Sequence, residues 1–356
     1  MNKSNVLRYR LRNQRLMNNK FSTPLEVVKW FGAVQAQDYK PSLWGIGLRF
    51  KQSSMKKIEM AIEEKHILRT WPMRNTIHFV PAKDAAWMLK LLTPRASARA
   101  ANVYRKAGLD ESIFLKSIDI VIKALQGGKY LTRKELYRAL EVAGIQTSNA
   151  RGVHIIGQLA YRGLICFGPR SGKQPTFVLL DEWVTDSVQL EGAQALAEIT
   201  RRYFNSHGPA TIQDFAWWSG LSLGEAKRGL QYIQNELRSE TIDGMTHWFA
   251  PITTDIDGED NVVHVLPMYD EFTVAYKHRS LFLPIKNQKD TNNGISRVIV
   301  RNGHIVGKWD QVQKKDQIKV FLSLFVDLDS RLKKDINQAI EQYGGFLSLP
   351  IEIVYR

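Results

Sequence analysis

The chain has 356 residues, more than one ordinary core needs, which predicts two to four modules. It contains no apolar run near the ~20 residues of a membrane-spanning helix. Its one cysteine, Cys166, excludes an internal disulfide and any cysteine-based zinc cluster. Almost all of the net charge of +15 sits early: residues 1–110 carry 21 Lys and Arg against 7 Asp and Glu, residues 111–356 carry 29 against 28. A phosphate-binding face requires such a basic region; a solvated charged surface is the competing reading.

Met1 to Arg15 is basic and polar with no apolar stretch, so no secretory signal is expected and a cytoplasmic location follows. Residues 1–108 read as a mostly helical, basic module. Leu7, Leu11 and Leu16, interleaved with Arg8, Arg12 and Arg15, predict an amphipathic helix. Thr23-Pro24 opens a second helix, with Thr as N-cap and Pro in the first turn, that runs through Trp30 and Phe31. A third helix is predicted over 56–65, a break over 69–74, a strand over 76–80 ended by Pro81, and a helix over 84–92.

Residues 109–188 predict a helix over 112–125 closed by Gly127-Gly128. A second opens on the capping box of Thr132 and Glu135, and Ser148 is expected to cap a third that ends at Tyr161. Strands over 164–167, with Cys166 buried in it, and 176–180 flank the loop Gly168 to Lys173. Three helices and a basic-tipped hairpin make a winged helix-turn-helix. Residues 189–258 repeat the plan, with a helix over 194–205, a short helix after Thr211, a capping box of Ser222 and Glu225, and a hairpin at Asp243-Gly244. Residues 259–356 turn towards strand. Asn302-Gly303 between two apolar runs signals a hairpin, further strands are expected over 321–326 and 351–355, and a helix over 331–343. A small β-barrel or curled sheet carrying one helix is the expected form.

Several apparent motifs fail. Gly220 to Gly224 fits the pattern of a nucleophile elbow, but no strand precedes it, and the capping-box spacing accounts for Ser222. Gly168 to Lys173 has three residues between its glycines where a P-loop has four, so a wing tip is the better reading. The eight histidines form no H-x-x-x-H pair, so no metal is expected. The informative stretch is Val34-Gln35-Ala36-Gln37-Asp38-Tyr39, a polar interruption after a buried apolar helix. Two amides two residues apart can hold a water or read a base edge if the chain unwinds after Val34. They have no acid–base pKa with which to drive a difficult hydrolysis. The alternatives are amides that cap the helix end and an Asp38 paired with a neighbouring arginine.

The chain resembles the AlkZ-like winged-helix DNA glycosylases of bacteria. The resemblance runs through nearly the whole chain and is carried by VQAQDYKPSLWGIGLR, RTWPMRNTIHFVPAKD, LICFGPRSGKQPTFVLLDEW, SHGPATIQDFAWWSGLS, LPMYDEFTVAYKHRS and VRNGHIVGKW. It implies three tandem winged helices followed by a C-terminal β-barrel. In that family a Gln–apolar–Gln motif is catalytic, and it maps onto Gln35-Ala36-Gln37. A sister subgroup carries Gln–apolar–Asp, so Gln37 places the chain nearer the crosslink-unhooking branch. The implied reaction removes N-alkylated purines, N7-alkylguanine above all, whose positive charge makes the base a good leaving group. Positioned amides and negative charge near an oxocarbenium-like sugar then suffice, with Asp38 or Glu271 as sources of that charge. The resemblance also implies a cleft open enough for bulky adducts, where most glycosylases flip the base into a pocket.

The combined expectation is an α+β, mainly α fold of three winged helix-turn-helix modules (1–108, 109–188, 189–258) and a β-barrel-like domain (259–356). The activity is that of a monofunctional DNA glycosylase, since no lysine in the glutamine motif is placed for Schiff-base chemistry. Gln35, Gln37 and Asp38 are the catalytic candidates. Arg12, Lys40, Arg69, Arg74, Arg170 and Lys173 are the DNA-binding candidates. No cofactor is expected. The partner is double-stranded DNA with alkylated purines, bound by a nucleoid-associated monomer. The alternative is a non-catalytic winged-helix DNA-binding protein or transcription regulator, which needs no open cleft at Gln35 and Gln37 and usually dimerises on a palindrome.

Overall fold

The computed structural model describes residues 1–17, 20–251, 262–279, 281–282 and 296–356. The chain starts with α1 (Lys3–Asn13), whose Leu7 and Leu11 are buried as the spacing requires. Helix α2 (Pro24–Phe31) opens on a full capping box, with the Glu26 N–H donating to Thr23 Oγ1 and the Thr23 N–H to Glu26 Oε2. Gly32, at φ +80°, stops it. The two-residue strand β1 (Val34–Gln35) follows, then α3 (Tyr39–Gly47) and α4 (Met55–Glu63).

The expected break over 69–74 is instead strand. β2 (Ile67–Met73) pairs antiparallel with β3 (Thr76–Pro81), and the register slips between Thr70 and Met73. Pro72 lies in the slipped stretch, where its missing N–H removes no regular ladder bond. Arg74 and Asn75, at φ 52° and 59°, make the turn. Helix α5 (Ala85–Lys106) runs well beyond the expected 92, straight through Pro94.

Next come α6 (Glu111–Leu125), β4 (Leu131–Thr132), α7 (Arg133–Val142) and α8 (Arg151–Tyr161). Ser148 does not cap α8. Asn149 and Ala150 take left-handed conformations, and Ala150 occupies the cap position with no side chain to offer. Gly152, in the first turn, lets Tyr137 pack close, since a Cβ would come within 2.5 Å of the Tyr137 ring. β5 (Ile165–Phe167) and β6 (Thr176–Leu179) complete an antiparallel sheet of order β4-β6-β5, with Cys166 fully buried in β5. A short α9 (Leu180–Trp183) ends this region.

Beyond it lie α10 (Gly192–His207), α11 (Ile212–Ser219), α12 (Leu223–Ile233), and the hairpin of β7 (Arg238–Ile242) and β8 (Met245–Phe249). Ser222 and Glu225 form the capping box of α12, which settles the local role of that serine. The last elements are β9 (Val263–Leu266), α13 (Glu271–Val274), β10 (Val298–Arg301), β11 (His304–Gln313), β12 (Ile318–Leu324), α14 (Ser330–Leu347) and β13 (Ile351–Tyr355). Their strands form one sheet of order β13-β12-β11-β10-β9. Among the described residues it is open, with β13 and β9 at opposite edges, and not a closed barrel. β13 joins parallel to β12, which requires the crossover that α14 supplies.

The chain divides into two compact units. Unit 1 contains residues 1–60, 197–218 and 222–356, unit 2 residues 61–196 and 219–221. The basic N-terminal stretch is shared: residues 1–60 have 12 basic against 3 acidic residues, residues 61–110 have 9 against 4. Unit 2 has an apolar core of Phe114, Val121, Leu136, Leu140, Ile155 and Phe177. In unit 1, α14 lies on the open sheet through Tyr343, whose ring is 5.3 Å from Trp309, and Trp44 of α3 reaches both Tyr343 and Phe346 at 5.1 Å. The fold is α+β. Among the described residues, no helix is long and apolar enough to cross a membrane.

Candidate active site

Helix α2 ends at Phe31, four residues before Gln35, and Gln35-Ala36-Gln37 lies between α2 and α3, with Gln35 in strand β1 and Gln37 in a bend. The extended backbone turns successive side chains to opposite faces, and two-residue spacing would give both glutamines the same one. The strand stops at Gln35, however, and the two differ in burial. Gln35 is 7% exposed, whereas Gln37 and Asp38 are exposed. Asp38 takes the N-cap position of α3 without a side-chain capping bond.

The buried half of the motif is tied down from a distant part of the chain. The Gln35 N–H donates to Glu271 Oε1 at 2.7 Å. Glu271 Oε2 accepts from the Trp218 indole N–H at 3.1 Å and lies 3.4 Å from His207 Nε2. The His207 ring stacks on Tyr203 at 4.7 Å and meets Phe31 edge-on at 5.2 Å. Burial pushes the His207 pKa down, with Glu271 opposing. Asp270, the preceding residue, binds Arg49 through both oxygens at 2.8 Å, and the pair is almost wholly buried. Arg49 also donates to the backbone carbonyls of Gly45 and Gln14 and to Gln14 Oε1, so its whole guanidinium is used. Gly45 permits this approach, since a Cβ there would sit 3.3 Å from Asp270 Oδ2.

The other candidates fall into two groups. In unit 1, the exposed Lys40 donates to Gln313 Oε1 on β11 at 3.0 Å. Arg12 of α1 lowers the pKa of Arg15 by charge, second to burial, which marks two guanidiniums close together. Arg15 itself lies over Phe21 and Trp30, at 4.5 and 4.6 Å. In unit 2, Arg69 on β2 lies 4.7 Å over the Phe167 ring, and Arg74 forms the β2–β3 turn. Arg170 and Lys173 are exposed at the β5–β6 tip, where Arg170 donates to the Lys173 carbonyl at 2.6 Å. Sequence reasoning named Glu271 only as a source of charge, and missed His207, Trp218, Arg49 and Asp270. The acidic pair within LPMYDEF was the one legible signal. Among the described residues, no group of three His, Cys, Asp or Glu could hold a metal ion.

A family model described as "DNA glycosylase AlkZ-like" matches residues 28–346. The "Interstrand DNA cross-link repair glycosylase" of Streptomyces sahachiroi is 24% identical over 378 residues, covering 98% of this chain and 98% of that protein. The solved structure "Streptomyces sahachiroi DNA glycosylase AlkZ" superposes with a TM-score of 0.82 at 21% identity, covering 99% of this chain and all of that one.

Proposed function

The chain belongs to the AlkZ-like family of DNA glycosylases, and from that premise we propose that it hydrolyses the N-glycosidic bond of N7-alkylguanine and related N-alkylated purines in duplex DNA. The family makes it a hydrolase of N-glycosyl bonds with DNA as partner. By analogy with the relative named for interstrand crosslink repair, crosslinked purines are a second substrate class. The regulator reading of the same elements is not favoured by this membership.

The observation that carries the reading is the split within the motif: Gln35 buried and anchored, Gln37 exposed beside an exposed carboxylate. Gln37 and Gln35 are assigned to the attacking water. Asp38 stabilises positive charge as it develops on the sugar. The C1′–N9 bond breaks and its electrons neutralise the alkylated base, which leaves. Water oxygen bonds to C1′ and gives up one proton to solvent, leaving an abasic site. The base is already cationic, so no strong general acid is required. No lysine joins the motif, so the reaction ends at hydrolysis.

The helix-and-hairpin groups within 1–108, 109–188 and 189–258 are read as winged helices, followed by a β-rich domain over 259–356. Arg12, Lys40, Arg69, Arg74, Arg170 and Lys173 supply phosphate contacts, and the protein acts as a nucleoid-associated monomer in the cytoplasm. About five phosphate contacts give a log–log salt slope of about −4 to −5 for duplex binding.

The test is incubation with an N7-methylguanine duplex, scoring abasic sites by alkaline strand cleavage. Gln37→Ala should lower the single-turnover rate about 100-fold or more while duplex affinity stays within twofold, because amides acting on water stabilise the transition state and not the bound ground state. Gln35→Ala should follow with a smaller loss. A double alanine variant with full activity would remove the motif from the mechanism.

A further inference from the structure

We infer that Glu271 is the positioning residue of the Gln35-Ala36-Gln37 segment, and that it acts as a double hydrogen-bond acceptor more than as a charge. This rests on the glycosylase reading above. Its Oε1 accepts from the Gln35 N–H and its Oε2 from the Trp218 indole N–H. Both partners are donors only, so lone pairs must face them from both sides of the group. A carboxylate presents lone pairs on both oxygens. An amide presents them on one side and N–H on the other. Glu271 is 1% exposed, so water cannot make up a mismatch.

Its neighbour gives the cluster a second anchor. Asp270 holds Arg49, just past the end of α3, and Glu271 holds Gln35, before its start. Two adjacent carboxylates thus clasp both ends of the stretch that contains Gln35, Gln37 and Asp38. The ring of His207, stacked on Tyr203, walls the Glu271 side chain in place. Asp270 holds the fold, and Glu271 sets where the motif backbone sits. A displacement of the motif by about 1 Å costs on the order of 100-fold in rate.

The test uses the full chain with two readouts: single-turnover excision from an N7-methylguanine duplex beside duplex Kd, and amide hydrogen exchange at Gln35. Glu271→Gln should slow excision about 10- to 100-fold, leave Kd within twofold, and speed exchange at Gln35. Adding Trp218→Phe to Glu271→Gln removes the indole donor that faces Oε2; His207 Nε2, 3.4 Å from the same oxygen, stays. Because Ser206 Oγ donates to the Arg202 carbonyl and leaves a lone pair for Nδ1–H, the neutral His207 ring can accept from the new –NH2 through Nε2. The amide oxygen can then face the Gln35 N–H, with its –NH2 turned to where the indole N–H had been. That double variant should recover both Gln35 protection and a rate within about threefold of Trp218→Phe alone. Wild-type rate and exchange in Glu271→Gln, or a double variant as slow as Glu271→Gln, overturn the inference; the second outcome would assign the role to charge. If Glu271→Gln does not fold by circular dichroism, the double variant carries the test alone. If the wild type excises nothing, the glycosylase reading falls, and exchange at Gln35 still decides whether Glu271 positions the motif.

Discussion

The molecule has two hairpin tips that each turn on a glycine at positive φ and differ in what packs against them. One is Asn302-Gly303 between β10 and β11, in unit 1. The other is Gly168 to Gln174 between β5 and β6, in unit 2. The first is built into its unit. Asn302 and Gly303 take φ of 52° and 86°, Asn302 Oδ1 accepts from the Val262 N–H at 3.0 Å, and a Cβ on Gly303 would lie 2.6 Å from Leu7 Cβ. The second stands clear. Gly172 takes φ +60° with nothing within 4 Å of an added Cβ, and residues 170–174 are all exposed. A turn's conformation is thus local in both, while its role depends on what the rest of the fold brings against it.

The largest expected effect lies at the packed tip. Gly303→Val strains a β-branched residue at positive φ and drives it into α1, so stability should fall by about 2–5 kcal/mol. Gly172→Ala meets only the backbone penalty, about 1–2 kcal/mol. Chemical denaturation of the two variants measures the difference, and equal losses would erase the distinction between the tips. The next effect lies in binding. Arg170→Ala with Lys173→Ala should leave Tm unchanged, weaken duplex binding, and flatten the salt slope by about 2. Fluorescence anisotropy across a salt series checks this. Unchanged affinity would mean that the exposed tip is a solvated turn and takes no part in DNA contact.

The smallest effect is graded with pH and separates the tips by titration. His264 on β9, beside the Asn302 tip, donates from Nε2 to the Leu16 carbonyl at 2.5 Å, and burial pushes its pKa down to about 3. The unfolded chain binds a proton there near pH 6.5 and the folded chain does not, so stability is full above pH 6.5. It should fall as pH drops towards 3, by up to about 1.4 kcal/mol per pH unit. His207 and His247 are displaced in the same direction by burial and add to the trend. Residues 165–179 contain no Asp, Glu or His, so the basic tip has nothing to titrate in that range. Thermal melts of the wild type and of His264→Asn between pH 5 and 7.5 decide it: the variant should show the shallower slope.

Much of the local structure was legible. Thr132 with Glu135 and Ser222 with Glu225 predicted helix starts because a capping box satisfies two backbone donors within four residues. Asn302-Gly303 and Asp243-Gly244 predicted turns because each pair accepts positive φ. Where local signals misled, a longer-range contact had won. Ser148 had the right chemistry for a cap, but Asn149 and Ala150 turn left-handed and α8 starts two residues later than a Ser148 cap would require, where Tyr137 packs close on Gly152. The Arg69 to Arg74 stretch looked like a break because of Pro72, yet pairing with β3 carried the strand through it.

The candidate site divides along the same line. Gln35, Gln37 and Asp38 could be picked out from the sequence because three polar residues in an apolar surround have no cheap reason to be there. Which glutamine is buried could not, since burial is decided by residues far along the chain. Glu271 meets Gln35 across a separation of 236 residues, and Trp218 and His207 approach the same carboxylate from two further helices. Hydrogen-bond donors and acceptors are written in each residue's chemistry. Their pairing exists only once the core has closed and removed the water that would otherwise serve them all.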